Sequence, residues 1–132
     1  MDQDKRLQLQ IEQYGRALAA LEDALTDDDG DKKSRDSILL SFVFTFEMAW
    51  KCLRFTLIAK GMETPDFAAG ALRAAFQARL IDDADSWTRV KDMRNEISHA
   101  YDQARAVAIA VFVRESAMPL FRALHGMLGP PA

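Results

Sequence analysis

Two short strings hold most of the side chains that could do chemistry: Glu47-Met48-Ala49-Trp50-Lys51 and Arg94-Asn95-Glu96-Ile97-Ser98-His99-Ala100-Tyr101. A guanidinium is a permanently charged, two-pronged donor suited to a carboxylate or a phosphate. An imidazole with an ordinary pKa of about 6.5 gains or loses a proton near neutral pH. Arg94 with His99 could therefore bind a phosphate and move protons beside it. Each residue also has a plainer reading. Arg94 falls on the same stripe as Trp87, Val90, Ile97 and Tyr101, and a charge on an apolar seam needs a partner. A structural carboxylate or water reached past its own stem would serve. His99 could simply cap a helix or bond a carbonyl.

On an ideal helix Arg94 and His99, five residues apart, point about 140° away from each other. They share a cleft only if the helix ends between them. Asp102 reads as the cap of a following helix, which predicts that the backbone turns between Ser98 and Asp102. Tyr101 lies seven residues from Arg94, nearly above it, and Asn95 forms an i, i+4 pair with His99. Glu47 and Lys51 form another such pair, acid before base. Usually this is an intrahelical ion pair worth a few tenths of a kcal/mol. On a mostly apolar helix, Glu47 could instead be the carboxylate that positions Arg94.

Helices must hold these residues. Leu7, Ile11, Tyr14, Leu18, Leu21 and Leu25 make one apolar stripe, broken at the acidic turn Thr26-Asp27-Asp28-Asp29-Gly30-Asp31. A second helix is expected from Ser34–Ser37 to about Lys60, stopped by Gly61. Its aromatic middle could suggest a strand, but Leu39, Phe42, Phe46, Ala49 and Leu53 keep helical spacing over a length no ordinary strand reaches. Being apolar nearly all round, it belongs at the centre of the fold or in a subunit interface. Thr64-Pro65-Asp66 reads as the start of a third helix running to about Leu80. Asp85 reads as the cap of a fourth, from Ser86 towards Ser98. The last helix starts at Asp102 and is expected to carry Val107, Val111, Met118, Phe121 and Leu128 inward, with Pro119 kinking it or ending its first section. Five helices on short turns imply an all-α, up-and-down bundle forming a single domain over residues 1–132.

Composition excludes several alternatives. The chain has 132 residues, 49% hydrophobic and 28% charged, which is one domain's worth with a real core and no wholesale disorder. A net charge of −3 argues against coating nucleic acid by bulk charge, unless Lys51, Arg54, Arg89, Lys91, Arg94 and Arg105 line a local basic cleft. Cys52, the single cysteine, leaves no internal disulfide or multi-cysteine zinc site and reads as a small core residue. His125 reads as a surface residue. Gly-rich phosphate loops, nucleophile elbows and metal-ligand signatures are absent from the sequence, and no metal or cofactor is expected. The first residues lead into a patterned amphipathic stretch, and Glu47, Lys51 and Arg54 interrupt the longest apolar region. A soluble cytoplasmic protein with no membrane segment is expected.

Phe42-Val43-Phe44-Thr45-Phe46-Glu47-Met48-Ala49-Trp50-Lys51, followed by Arg94-Asn95-Glu96-Ile97-Ser98-His99-Ala100-Tyr101-Asp102, resembles the HEPN superfamily. More narrowly, it is similar to the small helical proteins named nucleotidyltransferase substrate-binding proteins. The Arg-x4-His-x-Tyr string alone is short; coupled to the Glu47 string it is fairly specific. The resemblance implies a helical bundle that forms a two-fold homodimer, encoded beside a minimal nucleotidyltransferase. Many such pairs act as toxin and antitoxin. The HEPN member is a metal-independent endoribonuclease, silenced when the partner attaches AMP to the motif tyrosine, here Tyr101. Arg94 and His99 would be the catalytic residues, with Asn95, Glu47 and Lys51 in support. A basic residue often follows the motif lysine, whereas this chain has Cys52. A non-catalytic subunit that binds substrate for the nucleotidyltransferase is the competing reading. An assembly protein whose central helix makes an interface is the third.

Overall fold

In the computed structural model, residues 3–97 and 102–129 are described, and among them every regular element is helical. The elements are α1 (Gln3–Thr26), α2 (Lys32–Ala59), α3 (Ala68–Gln77), α4 (Ala84–Ile97), α5 (Gln103–Phe112), a π-helical turn (Val113–Ala117) and α6 (Met118–Leu128). The backbone stays helical from α5 through the π turn into α6. The last three segments are therefore one continuous helical rod, and the described residues make the expected five.

The long second helix sits at the centre, against α1, α3, α4 and α5. Ile38, Phe42, Phe46, Ala49, Leu53 and Leu57 are buried along it. The stripe Ile11, Tyr14, Leu18, Leu21 and Leu25 of α1 is buried as its spacing requires. Few polar groups enter this seam. Gln10 Nε2 donates to Met48 Sδ at 3.2 Å, the Cys52 thiol to Gln10 O at 3.4 Å, and the Tyr14 hydroxyl to Phe121 O at 2.7 Å. Burial raises the Tyr14 phenol well above its usual value and pushes the Cys52 thiol up to about 12. Cys52 is a core residue, as expected.

Local signals set most helix ends. Asp31 caps α2 by accepting from Ser34 N at 2.8 Å, so the helix starts at Lys32, ahead of the expected range. Those hydrogen bonds also lower the Asp31 carboxyl. Gly61, at φ +85, ends α2: Gly61 N donates to Ile58 O and Met62 N to Leu57 O. Asp83, not Asp85, caps α4, accepting from Ser86 N at 3.1 Å, and its carboxyl is lowered by the bonds to Ser86. Asp102 caps α5 as expected, accepting from Ala104 N at 3.0 Å.

Four expectations are corrected by the structure. Helix α3 begins at Ala68, not at Thr64-Pro65-Asp66. The Arg54 guanidinium draws that tripeptide into the connection, donating to Thr64 O at 3.2 Å and facing Asp66 at 3.8 Å. Pro65 packs closely on Gly70, where a Cβ would come within 2.7 Å of it. The same helix stops at Gln77, and Arg79 just beyond it adopts φ +61. Val107 and Val111 are exposed; Ala106, Ile109 and Val113 face the core instead. The π turn then resets the register so that Met118 and Phe121 point inward. Its cause lies in Pro119, which lacks an N–H and crowds the Glu115 carbonyl, a conflict the wider turn relieves. His125 is half-buried, its ring edge-on to Tyr14 with centroids 5.8 Å apart.

Candidate active site

Helix α4 is amphipathic in an unequal way. Only Trp87 and Val90 are fully buried along it, Trp87 packing near the Phe121 ring at 6.0 Å. These two residues roll the helix so that Arg94, one turn beyond Val90, reaches α2 while staying partly exposed. Its Nε lies 3.6 Å from Glu47 Oε1. The carboxylate that the apolar stripe demanded is therefore supplied by the second helix, 47 residues earlier in the chain.

The other carboxylate oxygen is held from below. Trp50 Nε1 donates to Glu47 Oε2 at 3.1 Å, so the indole fixes Glu47 and Glu47 orients the guanidinium. Trp50 had no assigned role on sequence grounds. Its i, i+3 spacing from Glu47 was the available signal. Lys51 does not close on Glu47. Its ammonium lies over the Trp50 ring, 5.8 Å from the centroid. Glu47, Trp50, Lys51 and Arg94 thus form one cluster in which Arg94 faces the carboxylate and Lys51 sits on the indole that holds it. With Glu47 in place, Arg94 is oriented and remains partly open to solvent, the disposition suited to an anion such as a phosphate.

Asn95 is exposed on α4, one position round from Arg94. His99 and Tyr101 lie outside the described residues. Both flanks of their segment are anchored. Glu96, in the last turn of α4, pairs with Arg105, in the first turn of α5, and Arg35 Nη2 donates to Gln103 Oε1 at 2.8 Å. The broad basic cleft is not formed by all six candidate cations. Arg54 is engaged at the α2–α3 connection, Arg105 with Glu96, and Arg89 leans on Ser86 at 3.2 Å. Lys51 and Arg94 stand in the cluster itself, and Lys91, one turn before Arg94, faces Asp92 at 3.4 Å. Among the described residues, no three His, Cys, Asp or Glu side chains are grouped to hold a metal ion, and no helix is long and apolar enough to cross a membrane.

A family model described as "Nucleotidyltransferase substrate binding protein like" matches residues 9–128. A curated protein of Haemophilus influenzae named "Probable ribonuclease HepT" is 36% identical over 72 residues, which are 52% of this chain and 49% of that protein. The chain thus aligns with about half the length of that relative. A crystal structure of a Thermus thermophilus protein superposes with a TM-score of 0.70 at 27% identity, over 87% of this chain and 94% of that one.

Proposed function

The chain belongs to the nucleotidyltransferase substrate-binding-protein-like family of the HEPN superfamily, and from that membership we propose that it is the toxin of a toxin–antitoxin pair, a metal-independent endoribonuclease centred on Arg94 and His99. The observation that carries the proposal is the Arg94–Glu47 pair, 3.6 Å apart and braced by Trp50. It joins the two strings that define the resemblance into one cluster, with a guanidinium oriented for a phosphate. The name of the Haemophilus relative supports the same reading.

Cleavage without a metal requires three groups. A base removes the proton of the ribose 2′-hydroxyl, whose oxygen attacks phosphorus. The 5′-oxygen leaves with a proton from an acid, and a cation stabilises the charge that builds on the phosphoryl oxygens. His99 serves as base or acid and Arg94 as the cation. One chain supplies only one such histidine, so a two-fold homodimer that brings two copies to one cleft completes the set. The surface of α2 supports this. Leu40 and Phe44, 73% and 54% exposed, continue the face that carries Glu47 and Lys51 towards the start of the helix. An apolar patch adjoining a site is what a second copy would cover. Tyr101, two residues from His99, is the acceptor for AMP from the partner nucleotidyltransferase; the added phosphodiester would compete with RNA for Arg94.

The family's name favours a second reading, a non-catalytic subunit that binds substrate for the nucleotidyltransferase. One experiment separates them. Purified protein, checked by intact mass for unmodified Tyr101, is incubated with mixed cellular RNA with and without EDTA, beside the His99→Ala variant. Cutting that resists EDTA and is lost in the variant is the expected result. Unmodified dimer that cuts none of a varied set of RNAs would leave the binding subunit as the function.

A further inference from the structure

Between α3 and α4 lies a cleft of about 330 Å³, near the lower end of the roughly 300–1,000 Å³ found for small-molecule sites. Phe76 forms one wall. It is 46% exposed, a large aromatic ring left facing water. Trp87, only 3% exposed and backed by Phe121, closes the floor. Two charged residues line the cleft, Arg73 from α3 and Lys91 from α4, and both are positive. In a chain of net charge −3, a cleft lined by cations and no carboxylate departs from the surface average. Thr88 adds a hydroxyl at the rim. An aromatic wall with flanking cations is the combination that binds a nucleotide: the ring takes the base, the cations take phosphates.

Its position links it to the candidate active site. Lys91 lies three residues before Arg94 on the same helix, about 60° round and about 4.5 Å along the axis. The cleft is therefore lined by the turn of α4 next to the one that carries Arg94. The Lys91 ammonium lies 3.4 Å from the largely exposed Asp92 carboxylate, a contact weak enough to be exchanged for a phosphate.

We propose that the α3–α4 cleft is a nucleotide subsite of the same active site, holding a nucleotide that flanks the scissile bond in single-stranded RNA. The flanking base stacks on Phe76, while Arg73 and Lys91 hold the phosphates on either side of it. The proposal rests on the ribonuclease reading and adds a substrate class. A base inside a duplex is already stacked on its neighbours and does not reach Phe76, so the subsite selects unpaired RNA.

The test is binding, which is independent of cutting. Fluorescence anisotropy with a short, labelled, single-stranded RNA of mixed sequence is measured on the full chain carrying His99→Ala. Phe76→Ala is expected to weaken binding by about 5- to 150-fold, the range for loss of one stacked base. Phe76→Tyr restores it, and Phe76→Leu, which keeps the apolar bulk of this half-exposed position, does not. Arg73→Gln lowers the slope of log affinity against log salt by about 0.7, as for one lost phosphate contact on a single strand. Unchanged affinity in Phe76→Ala, equal affinity for a duplex of the same sequence, or no binding to the parent chain would each overturn the proposal. The two readings fail separately. Phe76-dependent binding by a chain that cuts nothing removes the nuclease and keeps the cleft only as a site for unpaired RNA. Cutting that depends on His99, with binding indifferent to Phe76, does the reverse.

Discussion

Helices α2 and α4 meet at the Glu47–Arg94 pair but are held in the fold by very different means. Helix α2 buries side chains along its whole length against four neighbouring elements. Helix α4 fully buries only Trp87 and Val90, and its remaining side chains are polar, charged or half-exposed. The half of the cluster that must not move, Glu47 and Trp50, stands on the heavily anchored helix. Arg94, the member that would meet a phosphate on the proposed function, stands on the lightly anchored one. On the proposed function, stability and chemistry are divided between two helices, and substitutions should separate them.

The largest effect is expected at the anchor of α4. Trp87→Ala should destabilise the protein by about 3–5 kcal/mol, the usual loss for a buried aromatic, seen as a fall in Tm. Amide exchange should show the loss concentrated in α4, with the α1–α2 amides keeping their protection. Exchange that rises equally in α2 would break the comparison, because α4 would then belong to the same cooperative unit. Next comes Arg94→Ala, read by activity. Removing one oriented donor from the transition state should lower RNA cleavage by about 10²–10³-fold, while Tm stays nearly unchanged, since a half-exposed ion pair contributes about 0–1 kcal/mol. A large drop in Tm with activity retained would make Arg94 a structural residue and reverse the assignment.

The sequence was legible at several places where one turn of chain decided the outcome, though not at the α4 cap, where Asp83 takes the place expected for Asp85. The stripe of α1, the stop at Gly61 and the cap at Asp102 are local signals, and all three hold. The start of α3 was misread because Arg54, ten residues upstream of Thr64, competes for Thr64 and Asp66. The inward face of α5 was misread because Pro119 forces a π turn that shifts the register, and periodicity assumes regular α geometry throughout. The Glu47–Arg94 pair could be anticipated from chemistry alone, since a charge on an apolar seam needs a counter-charge. Trp50 carried only its i, i+3 spacing from Glu47 as a signal, and its part depends on which way the indole turns. The positions of His99 and Tyr101 relative to that pair fall outside the described residues, so their roles rest on the resemblance.

Two smaller effects probe the anchored side. Tyr14→Phe keeps the ring in the core and removes the hydroxyl that donates to Phe121 O at 2.7 Å. A loss of about 0.5–1.5 kcal/mol is expected, measured by denaturant unfolding with an unchanged m-value. RNA cleavage should be unaffected, because the residue supports the scaffold and not the lightly held helix. Reduced cleavage at full stability would couple the two regions.

The last effect is visible only in alkali. Cys52 is held as a neutral thiol by burial between α1 and α2, and its pKa rises from 9.0 to about 12. In the unfolded chain the thiol ionises at its ordinary value. A raised folded pKa means that the folded state keeps the proton longer, so the stability due to this group is full below pH 9.0 and declines as pH rises towards about 12. The decline is about 1.4 kcal/mol per pH unit for one proton. Tyr14, raised by burial and in smaller part by Cys52 itself, adds its own loss above the usual phenol value, with the burial part common to both proteins compared. Unfolding free energy against pH should therefore fall less steeply in Cys52→Ala than in the parent, by up to one proton, between pH 9.0 and about 12. Parallel curves would mean that water reaches the thiol, and that the α1–α2 seam is no better sealed than the α4 side of the molecule.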